Sequence, residues 1–254
     1  SYNATVTTGM DISGATPTDV IERFVPTVYR SPDNVLYYLD AKEMRDPDHK
    51  ARMGRAAALK LAATIDANLY STVASRAAIV VKSTTALSWD NVATAEALML
   101  SRGIGAGERR KVFMNPFDYL AVSSNLAGRA YLGDINKSAY ERSQVPDIAG
   151  FATFRTDNVA NLTTVGTVTS ITVSGAQSHT VTAMTGDLPT DNRLMSFTAA
   201  GGNAANVNVG DCFTIPGVNA VHNIDKSDTG QLMTFRVLAK ASATSWTISP
   251  AIIA

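Results

Sequence analysis

Val112-Phe113-Met114-Asn115-Pro116-Phe117-Asp118-Tyr119 carries three structural instructions in succession. Lys111–Met114 is an apolar run short enough for a strand. Asn115-Pro116 is a turn signal, and proline is well suited to the first position of a helix. A helix is therefore predicted from Phe117 onward. Strand, turn and helix in this order place the chain among mixed α+β proteins.

Upstream, Trp89 to about Arg102 is predicted as a helix, with Val92, Ala95, Glu96 and Met99 spaced along it and Gly103 as its stop. Gly103-Ile104-Gly105-Ala106-Gly107 has the glycine content of a phosphate-binding loop but the wrong surroundings. A nucleotide loop comes after a strand and opens a helix, so that phosphate meets the helix N-terminus. Here a helix precedes and a strand comes after, so a plain connection is expected. Arg109-Arg110-Lys111 is expected to be a solvated basic cluster.

Further upstream lies the longest predicted element. Asp46 is suited to cap a helix, Pro47 to its first position and Asp48 to its positive end. The helix is predicted to run from there to about Ile79, a stretch without further proline, and ten alanines lie between Ala51 and Ala78. Met53, Ala57, Leu61, Ile65, Leu69 and Val73 recur at steps of four and predict one drifting apolar stripe. Without a strict heptad, this rod is expected to be the backbone of an elongated subunit and not a coiled coil. Before it, Val20–Tyr29 is predicted as a partly exposed strand of a projecting hairpin, with Pro26 suited to an edge.

Downstream, the chemistry changes near residue 160. Residues 1–159 hold 18 basic and 17 acidic side chains, whereas residues 160–254 hold 4 and 5 alongside fifteen threonines. That composition favours strands and turns. Strands are predicted at 165–173, 178–184, 193–198, 211–215, 232–239 and 244–249, spaced as in a small barrel or sandwich.

Catalytic patterns are missing from the sequence. His49, His179 and His222 lie far apart, and no metal-ligand or nucleophile motif occurs. His49 is expected on the solvated first turn of the long helix, and Cys212 as a small apolar residue in a strand. No catalytic residue, cofactor or metal is expected. Twenty-two basic residues balance twenty-two acidic ones, which gives no reason to propose a sequence-reading DNA surface. No apolar run is long enough to span a membrane. The balance moves toward assembly or binding. Two readings survive: a structural shell subunit, or a carbohydrate- or surface-binding β module on a helical stalk.

A resemblance separates them. Val112–Tyr119, with Gly128-Arg129-Ala130-Tyr131-Leu132-Gly133 after it, resembles the tailed-phage major capsid family with the Hong Kong 97-like fold. Trp89-Asp90-Asn91-Val92-Ala93, Ala149-Gly150-Phe151 and Val173-Ser174-Gly175-Ala176-Gln177-Ser178 are similar to the coat proteins of short-tailed Salmonella phages. Ser31-Pro32-Asp33-Asn34, Met44-Arg45-Asp46, Asp191-Asn192-Arg193, Gly210-Asp211 and Gly217-Val218 continue the match in colinear order over nearly the whole chain.

The resemblance implies a plan. Residues 1–35 would be an extended loop lying over a neighbouring subunit, and 36–84 a peripheral domain with its spine helix. Residues 85–160 would pass through peripheral and axial domains, and 161–254 would form most of an inserted small β-barrel. The chain would be truncated at both ends. Implied partners are copies of itself in hexamers and pentamers, a scaffolding protein, a portal, and packaged double-stranded DNA held without sequence specificity. The implied location is the virion capsid, assembled in the bacterial host cytoplasm. Asp11 and Arg23 on the projecting loop, with Asp187, Asp191 and Arg193 on the barrel loop, are the candidate inter-subunit contacts.

Overall fold

The computed structural model describes residues 8–10, 13–14, 27, 32–83, 86–105, 110–128, 141–159, 166–180 and 191–252. Most of the predicted hairpin, Val20–Tyr29, lies outside the described residues.

Helix α1 spans Pro47–Arg76. Its start is as predicted: the Asp48 amide donates to Asp46 Oδ1 at 2.9 Å. Thirty residues at 1.5 Å each make a rod of about 45 Å. Polar residues inside it turn back on the backbone, as Thr64 Oγ1 does to Lys60 O at 2.9 Å and Thr72 Oγ1 to Asn68 O at 2.8 Å.

Two expectations for this helix need correction. It ends at Arg76 and not near Ile79, because Ala77 is already extended (φ −63°, ψ 128°) and the β-branched run Ile79-Val80-Val81 comes next. The drifting apolar stripe, as its spacing implies, lines no single buried face. Each step of four overshoots a turn by about 40°, so five steps carry Val73 to the side opposite Met53. Ile65, Leu69 and Val73 are exposed, and α1 has no fully buried residue. His49 is half-buried, not solvated.

Helix α2, Trp89–Ser101, starts where the Ser88 amide donates to Asn91 Oδ1 at 2.9 Å. It stops at Gly103, which takes a left-handed φ of 77°. Strand β1, Arg110–Met114, leads through Asn115 into helix α3, Pro116–Ala127, where Asn115 Oδ1 accepts from the Phe117 amide at 3.0 Å. Strand β2, Phe151–Arg155, pairs parallel with β1 from Arg110↔Phe151 to Met114↔Arg155. Val92, Met114, Tyr119, Val122, Leu126, Val145, Ile148 and Phe151 form the core of this part. Inside it the Tyr119 hydroxyl accepts from the Val145 amide at 2.6 Å.

A second core lies within an antiparallel sheet ordered β3-β4-β7-β6-β5. Its strands are β3 (Thr172–Val173), β4 (Met195–Ala200), β5 (Cys212–Val221), β6 (Asp228–Lys240) and β7 (Ser245–Ser249). Alternation sorts the side chains. Met195, Phe197 and Ala199 of β4 face inward with Trp246 and Ile248 of β7, against Phe235 and Val237 of β6. The sheet curls, but among the described residues its edge strands β3 and β5 do not pair.

The predicted strands here differ in length. Residues 211–215 and 232–239 grow into the longer β5 and β6. Pro216 is tolerated because β5 is an edge, and register shifts absorb Gly217. Of the expected strand 165–173, Thr172–Val173 is strand and 166–171 is irregular, while residue 165 lies outside the described residues. Residues 178–180 of the expected strand 178–184 are irregular, with the His179 amide donating to Ile252 O at 2.7 Å. Residues 181–184 lie outside the described residues.

Candidate inter-subunit surface

Of the five candidate contact residues, Asp11, Arg23 and Asp187 lie outside the described residues. Asp191 and Arg193 are described, and they pair with each other at the entry to β4. Arg193 Nε donates to Asp191 Oδ1 at 2.8 Å and Nη2 to Oδ2 at 2.6 Å. The Arg193 amide adds a third bond to Oδ1 at 3.1 Å. This two-pronged geometry holds the Asp191 carboxyl below its ordinary pKa, against a smaller opposing effect of burial, and raises that of Arg193. The side chains are unequally covered, with Asp191 at 16% and Arg193 at 57% exposure. The carboxylate is therefore engaged within the chain, and the guanidinium is the part that reaches outward. Beside it, His179 Nε2 lies 3.2 Å from Asn192 Oδ1, which ties the same loop to residues 178–180.

Apolar surface is the other notable exposure. Leu36 and Tyr38 are 94% and 96% exposed on the extended stretch before α1. Leu59 and Leu69 on α1, and Phe117 at the start of α3, are also bare. A solitary exposed leucine is ordinary, but large side chains repeated along one rod mark contact surfaces.

Among the described residues no group of acidic, histidine or cysteine side chains could hold a metal ion. No described helix is long and apolar enough to cross a membrane. Cys212 sits half-buried in β5, where burial pushes its thiol pKa up and makes it a poor nucleophile. It borders a groove of about 680 Å³ walled by Phe197, Phe213 and Trp246, between β3 and β5.

Among the described residues three buried arginines carry no signal of burial in their local sequence. Arg110 donates through Nη2 to Ile104 O at 2.6 Å and Gly105 O at 2.9 Å, with Glu96 at 3.8 Å, so it ties down the glycine-rich connection. It belongs to the basic cluster expected to be solvated, and that expectation fails for Arg110. Arg102 closes α2, and burial lowers its pKa. Arg236 lies in β6 and reaches α1. The one available hint for Arg236 is its rarity: it is one of four basic residues after position 159 and interrupts an apolar strand.

Among the described residues there are two cores, a long helix without a buried face, and exposed apolar and charged surfaces. This is the character of an assembly subunit. The family model described as "P22 coat protein - gene protein 5" matches residues 1–254, and the chain belongs to that family. It is a structural coat protein of a phage capsid, and copies of itself are its partners in the shell. A solved structure, the CUS-3 coat protein I-domain, is 45% identical over 34% of this chain and 73% of its own length, with a TM-score of 0.28.

Proposed function

We propose that this coat protein is the major capsid subunit, built on the Hong Kong 97-like plan and closing an icosahedral shell of hexamers and pentamers around double-stranded DNA. The family match over residues 1–254 carries this reading. In it, residues 1–35 form an extended loop over a neighbour, 36–84 a peripheral domain with α1 as spine, 85–160 a peripheral and axial segment, and 161–254 an inserted barrel. The separate cores around Val122 and Phe235 support a division near residue 160. The curl of the five-stranded sheet supports a barrel-like insertion. A scaffolding protein and a portal join the assembly in the host cytoplasm, and the DNA contacts the inner face without sequence reading.

Asp11, Arg23, Asp187, Asp191 and Arg193 are proposed as charge contacts between subunits. For Asp191 and Arg193 the geometry supports a division of labour. Asp191 orients the guanidinium, and the exposed Arg193 meets an acidic group on the neighbour. A rim ion pair contributes about 0–1 kcal/mol, yet repetition over a shell and its role in register make it matter. Asp191→Lys should leave the thermal midpoint of the subunit within a few degrees of the parent while closed particles become scarce by electron microscopy. Normal particle yields from this variant would remove Asp191 from the interface.

A further inference from the structure

We propose that the β3–β7 sheet is fastened to the helical part at two helix C-termini, and that this pair of attachments sets the direction in which the sheet projects from the subunit. The first attachment is Arg236. It is 5% exposed, in mid-β6, and its Nε donates to Ala77 O, the cap of α1, at 2.8 Å. Its Nη1 donates to Gly210 O at the approach to β5. Among the described residues Arg236 has no carboxylate partner, so its charge is met by carbonyl oxygens. The end of a long helix suits this role, since unsatisfied carbonyls and the helix dipole both place negative potential there.

The second attachment is the corner between β5 and β6. The Asn223 amide donates to Arg102 O, the cap of α2, at 3.1 Å. The His222 ring lies so close to Gly103 that a Cβ there would come within 2.6 Å of Nε2. Only glycine permits both this approach and the φ of 77°. Lys226 Nζ donates to Asn223 O at 2.6 Å, which fixes the corner itself.

The lever arm matters. Eight residue steps along β6 separate Asp228 from Arg236, about 26 Å at the rise of a strand. One attachment would leave a pivot. Two attachments this far apart leave only rotation about the line joining them. The direction of β6, and with it the line from which the sheet projects, is then set in the folded subunit before any neighbour arrives.

Hydrogen exchange and small-angle scattering on the full chain test this. In Arg236→Met, amide exchange over Ser71–Arg76 should rise roughly tenfold, the size of one lost hydrogen bond to a charged donor. Trp246 fluorescence should stay that of a buried indole. Arg236→Lys, which keeps the charge and a donor, should recover part of the protection. Asn223→Pro should do the same to Leu98–Gly103, and the double variant should show an enlarged, broadened scattering profile. Unchanged exchange in Arg236→Met, or a double variant that scatters like the parent, overturns the proposal. If Arg236→Met also loses the buried Trp246 emission, Asn223→Pro decides alone. Parent-like protection of Leu98–Gly103 in that variant overturns the proposal, and loss of protection with Trp246 intact sustains it.

Discussion

Asp191 and Arg193 are two residues apart, and their side chains meet in the most fully hydrogen-bonded ion pair described for this chain. Because the folded-state pKa of Asp191 is depressed, its stabilisation is fully present above the ordinary aspartate pKa and is lost as pH falls through the depressed value, below about pH 4. Solvent around the exposed Arg193 screens the pair, so its worth stays at about 1 kcal/mol or less. Denaturation of Asp191→Asn and parent should therefore differ slightly at neutral pH and coincide in strong acid; a difference that grows on acidification would contradict the assignment. Tyr119 makes a different case. Its hydroxyl accepts from the buried Val145 amide, so Tyr119→Phe leaves that donor without its partner and should cost about 1–3 kcal/mol in a chemical denaturation midpoint.

Local signals were legible at the level of elements wherever a short-range rule dominates. Asp46-Pro47, Asn115-Pro116 and Gly103 marked helix ends that the structure places within a residue or two of expectation, because caps act over one turn. Asp46→Ala should cost about 1 kcal/mol and fray the start of α1, measurable as lost helical circular dichroism on mild heating. Elements whose limits depend on distant partners were not legible. The end of α1 is set partly by Arg236, which lies 159 positions away. The length of β5 depends on pairing with β6 across a bulge. Gly202 is a third instance: it takes a φ of 52°, and a Cβ there would strike the Thr169 carbonyl. Nothing near Gly201-Gly202 in sequence announces this. Gly202→Ala should destabilise the sheet by roughly 1–3 kcal/mol, seen as a lower midpoint by Trp246 fluorescence. An unchanged midpoint would mean the loop simply moves aside.

For the whole molecule, balanced charge, the lack of catalytic patterns and the composition change near residue 160 limited the field to assembly or binding. Colinear motifs then pointed to a capsid family, and the family match over residues 1–254 bears this out. For candidate contact residues, the sequence could nominate charges on loops. It could not show that Asp191 is already committed to Arg193, because that depends on side-chain geometry. The buried arginines were illegible for the same reason: burial of a charge is decided by tertiary packing and not by its neighbours in sequence.

Whether copies of this chain build a shell is decided by negative-stain electron microscopy of the protein co-expressed with the scaffolding protein proposed above. Closed particles or ring-shaped capsomers of uniform size are predicted. Folded monomers that stay dispersed at high concentration, with scaffold present, would contradict it.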